Sequence, residues 1–116
     1  MPSLRPVLGE LVLDIAQRGA GAYPTGPISN PGYANTILVL VYASGVSGTT
    51  STLDVAIQTS PDATTWTTVQ SMTQMTGVGQ SVLTACIDTN EFGQVLATVG
   101  GTGTPTVTFS LAVMVI

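Results

Sequence analysis

Leu53-Asp54-Val55-Ala56-Ile57-Gln58-Thr59-Ser60-Pro61-Asp62-Ala63-Thr64-Thr65-Trp66-Thr67-Thr68-Val69-Gln70-Ser71-Met72 reads as a β-hairpin and decides the fold class. Leu53, Val55 and Ile57 alternate with Asp54, Ala56 and Gln58. A period of two puts one row of apolar side chains on one face of a half-buried strand. Ser60-Pro61-Asp62-Ala63 follows with turn chemistry, since Ser can accept a hydrogen bond at the first position and Pro presets φ at the second. The chain returns over Thr65 to Met72, with the only tryptophan, Trp66, beside the turn where its indole can cover the open end of a core.

The same cadence extends both ways. Upstream, Leu11, Leu13 and Ile15 alternate with Val12, Asp14 and Ala16, which predicts a strand over about Glu10 to Gln17. Arg18 to Gly32 holds Gly19, Gly21, Pro24, Gly26, Pro27, Pro31 and Gly32, and reads as one long loop that packs through Tyr23, Ile28 and Tyr33. Thr36 to Ala43 is an unbroken β-branched and aliphatic run, expected to be a strand buried on both faces, either centrally in the sheet or at a subunit contact. Gly45 to Ser51 is expected to loop out. Downstream, Thr76 to Gln80 turns the chain, and strands follow at about Ser81 to Ile87 and Gly93 to Val99, separated by Asp88-Thr89-Asn90-Glu91. After Gly100 to Pro105 the last strand sets Val107, Phe109, Leu111, Val113 and Val115 on one face. Its other face, Thr108, Ser110, Ala112, Met114 and Ile116, is too apolar for water to be its natural neighbour. No segment carries a helical period. The expected fold is all-β: a single antiparallel, jelly-roll-like β-sandwich of seven to eight strands over residues 9–116, preceded by an N-terminal arm over residues 1–8.

Charge narrows the function. The 116 residues include two Lys or Arg, six Asp or Glu and no His, so 7% are charged against roughly a quarter in an ordinary domain. Such a chain must solvate itself with Thr, Ser, Gln and Asn, or hide its surface against other protein. Two arginines and a net charge of −4 cannot neutralise a phosphate backbone, which argues against nucleic acid and against anionic membranes. The longest apolar run, Ile37 to Ala43, is far short of the ~20 residues of a membrane-spanning helix. The start, Met1 to Pro6 followed by Gly9 and Glu10, does not read as a secretory leader, so a cytoplasmic site of synthesis is expected.

Chemistry finds few candidates. With no His and no Lys, the groups that titrate near neutrality are missing, and no catalytic residue is assigned. The carboxylate pairs Asp88 with Glu91 and Asp54 with Asp62 are the nearest thing to an acid-base site. Zinc lacks ligands. Asp88, Asn90 and Glu91 supply oxygens for calcium but lack the full alternating acidic pattern. The glycines of Gly100 to Gly103 follow a strand with no helix after them, unlike a phosphate-cradling loop. The lone Cys86 lies between Ala85 and Ile87 and reads as a small buried side chain. No metal, cofactor or disulfide is expected.

Leu53 to Asp62 followed by Thr65-Trp66-Thr67 resembles a hairpin of small β-sandwich structural proteins of tailed bacteriophages, in which a strand ends in Ser-Pro-Asp-Gly and restarts at a Trp. Met72-Thr73-Gln74-Met75-Thr76-Gly77 and the Gly-Thr-rich loop before the terminal Thr-Val-Thr-Phe-Ser strand are similar to the same proteins, so the likeness covers Leu53 to Ile116. Ala63 departs from it where the pattern prefers Gly. Such proteins include capsid decoration or cement proteins, which often form trimers on the outside of the head and clamp neighbouring capsomers. The resemblance implies a virion protein on the capsid surface, made in the host cytoplasm, whose partners are the major capsid protein and copies of itself. It brings no site residues. The alternatives are a tail or connector subunit, and a carbohydrate- or receptor-binding sandwich using Tyr23, Tyr33, Tyr42, Trp66, Phe92 or Phe109.

Overall fold

The computed structural model describes residues 9–25, 28–29, 35–87 and 92–115. Among these it has nine strands and no helix: β1 (Gly9–Gly19), β2 (Gly21–Pro24), β3 (Ile28–Ser29), β4 (Asn35–Ser47), β5 (Thr50–Ser60), β6 (Thr67–Ser71), β7 (Gly79–Ile87), β8 (Phe92–Thr102) and β9 (Thr106–Val115). They form two antiparallel sheets. One runs β1-β9-β4-β7; the other runs β2-β8-β5-β6, with β3 also on β8. β2 and β3 lie end to end along β8, from Gly21 opposite Val99 to Ile28 opposite Gly93, and Thr25 joins them by donating its N–H to the Val95 carbonyl. Taken as one broken strand, they make eight strands nested as antiparallel pairs: β1 with β9, β2–β3 with β8, β4 with β7, β5 with β6. That is the connectivity of a jelly roll, a long hairpin folded over into two sheets.

The core lies between the sheets. Alternation supplies it from every central strand: Ile37, Val39, Val41 and Ala43 on β4, Leu53, Val55 and Ile57 on β5, Val95, Ala97 and Val99 on β8, and Val107, Phe109, Leu111 and Val113 on β9. Fully burying each Val, Leu, Ile or Phe contributes roughly 1.5–3 kcal/mol before the chain-entropy cost. Met72 is buried against this layer, and Met75 continues it. The segment after β6 stays on β5, with Met72 N–H bonded to the Val55 carbonyl and Met75 exchanging both backbone bonds with Leu53.

Several expectations are corrected. Arg18 to Gly32 is not one loop, because β2 and β3 lie within it; Pro24 is tolerated there since β2 is an edge strand. Gly45 to Ser51 is not a loop either, because β4 continues to Ser47 and β5 starts at Thr50, leaving Gly48 and Thr49 as the turn. The Thr36 to Ala43 run is buried on one face only: Leu40 and Tyr42 are exposed. On β1, register shifts between Leu11 and Leu13 and between Leu13 and Ala16 break the simple alternation, so Leu13 packs on the core while Ile15 points to solvent. Residues 1–8, the expected arm, lie outside the described residues.

The Ser60 to Thr65 turn is built around Asp62. Its carboxylate accepts from the N–H of Thr64 and of Thr65, both at 2.9 Å, and from the Ser60 hydroxyl at 2.9 Å. The two backbone donors and the hydroxyl hold the Asp62 carboxyl below its ordinary value of 3.8. Closing the turn this way puts Ala63 at φ 62°, a left-handed conformation that costs an L-residue roughly 1–2 kcal/mol. Ala63→Gly is therefore expected to stabilise the fold by about 0.5–1 kcal/mol, because relief of strain outweighs the extra freedom of glycine in the unfolded chain. A urea midpoint unchanged or lowered in this variant would refute the reading.

Candidate interaction surface

The two outer faces of the sandwich differ in chemistry. On the β2-β8-β5-β6 sheet the outward positions are mostly polar: Thr52, Asp54 and Gln58 beside Ala56 on β5, Thr98 beside Leu96 on β8, and the wholly exposed β6, where Val69 stands among Thr67, Thr68, Gln70 and Ser71. The polar side chains bond to one another. Gln74 Nε2 donates to both oxygens of Asp54 at 2.9 and 3.2 Å, and Gln94 Nε2 donates to Gln58 Oε1 at 2.7 Å. A face of this kind is at ease in water.

On the β1-β9-β4-β7 sheet the outward rows are set by pairing. Val82 on β7 lies opposite Leu40 on β4, which lies opposite Ala112 on β9; the next row is Thr84, Leu38 and Met114; the third is Gln80, Tyr42 and Ser110. None of these side chains is charged. Val82 is 61% exposed, Tyr42 42% and Leu40 40%. Leu40, Tyr42, Gln80, Val82, Ser110 and Ala112 line a shallow hollow of about 260 Å³ in this face. An exposed apolar patch with no charge in it is the kind of surface that interfaces use. A continuous apolar run in the sequence had two possible physical meanings, burial within the sheet or cover by another molecule, and here the outer half of β4 has no cover among the described residues.

Of the residues singled out for chemistry, Asp54 and Asp62 are engaged separately. Asp54 is engaged by Gln74 on the polar face, and Asp62 is absorbed in its turn. Asp88, Asn90 and Glu91, the calcium candidates, lie outside the described residues, as does Tyr33. No group of three or more His, Cys, Asp or Glu that could hold a metal occurs among the described residues. Gly100 and Gly101 are part of β8, and the run leads into strand β9. Cys86 is exposed rather than buried, because the pairing of β7 turns Leu83 inward and therefore Cys86 outward. Of the aromatics, Phe109 is buried, Tyr23, Trp66 and Phe92 are half-buried, and Tyr42 alone is exposed among the described residues. No helix there is long and apolar enough to cross a membrane.

Arg18 is held against the end of the core by the fold. Its guanidinium carbon sits 4.6 Å from the Phe109 ring centroid and 5.9 Å from that of Tyr23, and its Nη1 donates to the Phe109 carbonyl at 2.7 Å. The cation thus closes the β1 side of the core over an aromatic face. No protein-family model matches the chain, and no curated protein matches it in sequence.

Proposed function

We propose that this chain is a non-catalytic structural subunit of a tailed-phage virion, a head decoration protein that lies on the major capsid protein and works in many copies. The observation that carries the reading is the uncharged outer patch across β9, β4 and β7, where Val82, Leu40 and Tyr42 are exposed side by side. The jelly-roll connectivity supports it as a fold used by shell proteins, and the hairpin likeness at Leu53 to Thr67 supports the phage class. Fold alone does not fix function, so the face bears the weight. Repetition over a shell would let individually modest contacts add to a durable attachment.

The test is binding to heads that lack the protein. Purified chain should pellet with them saturably, and Leu40→Glu, which places a carboxylate in the middle of the face without touching the core, should weaken binding at least tenfold while leaving the circular dichroism unchanged. A chain that neither binds heads nor self-associates at micromolar concentration would defeat the proposal.

A further inference from the structure

The sandwich has two sheets and therefore four edges, and three of those edges carry devices that stop a strand from recruiting another chain. β1 has two register shifts and carries Glu10, Asp14 and Arg18 in its sequence. The β2–β3 edge is broken into pieces of four and two residues and includes Pro24. β6 is five residues long and shifts register against β5 between Ile57 and Gln58. Bulges, proline, charge and shortness are the means by which sheet edges are blunted.

β7 has none of them. Its nine residues pair with β4 without a register shift, from Asn35 opposite Ile87 to Ala43 opposite Gly79. Gly79-Gln80-Ser81-Val82-Leu83-Thr84-Ala85-Cys86-Ile87 contains neither charge nor proline. On its other side no strand pairs with it among the described residues. The contrast with the other edges is what requires an explanation, since a long, straight, uncharged edge is the kind that templates further strand pairing.

We propose that β7 pairs antiparallel with β7 of a second copy about a twofold axis, making one continuous sheet through the two molecules. A twofold contact sets a surface against itself, with only the residue on the axis meeting its own copy, and a strand without charge such as β7 brings no unpaired charge into that contact. Register follows from the alternation of faces. Core residues must stay on one side of the joined sheet, so outward residues must oppose outward ones. Centring the pairing on Leu83, the midpoint of Gly79–Ile87, satisfies this and engages the whole strand. Val82 then lies opposite the partner's Thr84, and Gln80 opposite the partner's Cys86. Because Leu40 pairs with Val82 and Leu38 with Thr84 within each chain, the apolar rows of one outer face run on into those of the other.

This contact rests on the assembly reading in one respect, that the chain works in several copies. It differs from that reading in using an edge rather than a face, and in closing at two copies where the phage resemblance implies a threefold ring; it can join two single chains or two such rings.

Gln80→Cys tests it with the native Cys86 as the second thiol. Within one chain the two positions are six residues apart on a strand, roughly 20 Å, too far to bridge. Across the proposed axis they are directly opposite, at roughly 4.5–5.5 Å between Cα atoms, a separation a disulfide spans. Mild oxidation should convert most of the variant to a covalent dimer, with peptide mapping linking position 80 to position 86. Val82→Lys, at an exposed site, should weaken self-association at least tenfold in sedimentation equilibrium with the strand signal in circular dichroism retained. An oxidised Gln80→Cys sample without the 80-to-86 link, or a Val82→Lys variant that self-associates as the parent does, overturns the β7 contact. If heads still bind the chain in that case, only the edge contact is lost; if neither heads nor a second copy bind, the assembly reading falls with it.

Discussion

Phe109→Ala is expected to lower stability by about 4–5 kcal/mol, at the upper end for a buried aromatic, measured as a shift of the urea midpoint with the slope unchanged. Phe109 is fully buried at the centre of β9, between β1 and β4, and it is touched by more than apolar neighbours. Tyr23 meets its ring edge-on at 6.3 Å between centroids and 70° between planes, and the Arg18 guanidinium covers it at 4.6 Å. An aromatic pair is worth roughly 0.5–1.5 kcal/mol beyond the area it buries, and a cation over a ring a similar amount. Truncation removes all of these and leaves a cavity, while Arg18 keeps its bond to the residue-109 carbonyl and so holds its charge above the void. Total stability of a domain is commonly 5–15 kcal/mol, so the variant should be close to unfolding at room temperature. Phe109→Leu keeps most of the volume and should lose less than half as much. A loss below about 2 kcal/mol for the alanine variant would mean that this end of the core is loosely packed.

Every strand except β2 and β3 was legible, because a strand's presence depends on local alternation, which the sequence states outright on β5 and β9. What depends on pairing was not legible. The side to which Cys86 points is fixed by parity against β4, and Val82 to Ile87 offers no polar row to decide it. Ile15 turns out to solvent because β1 shifts register, and no residue announces the shift. β2 was hidden by its own composition: Gly21 and Pro24 are poor strand residues, and they are accommodated because only one side of β2 has to bond, to Gly21–Pro24's partners on β8. The candidate surface was foreshadowed as a shortage of charge. Its location was not, since the run from Thr36 to Ala43 reads the same whether its second face meets protein within the chain or beyond it.

The glycines of the β8–β9 connection carry the second large effect, and they separate two meanings of the same residue. Gly101 lies in β8 opposite Ser51 with φ at +126°, and a Cβ there would sit 2.2 Å from the Thr50 carbonyl oxygen and 2.8 Å from its carbon. Both are backbone atoms of the paired strand, so neither can swing away. Gly101→Ala is therefore expected to lower stability by about 3 kcal/mol or more, from the disfavoured φ together with forced separation of β5 from β8. Two other glycines make the control. At Gly100 the nearest atom to a Cβ is the Thr52 hydroxyl at 3.2 Å, the end of a side chain that can rotate, and at Gly77 nothing lies within 4 Å. Gly77→Ala should be neutral or stabilising by up to about 1 kcal/mol, because it only narrows the unfolded ensemble. The ordering of urea midpoints, Gly77→Ala above Gly100→Ala above Gly101→Ala, separates close approach of two backbones from mere turn flexibility. Equal midpoints for all three would show that the Gly100 to Gly103 run is a pliable connector and that β5 and β8 do not meet as closely as Thr50 and Gly101 require.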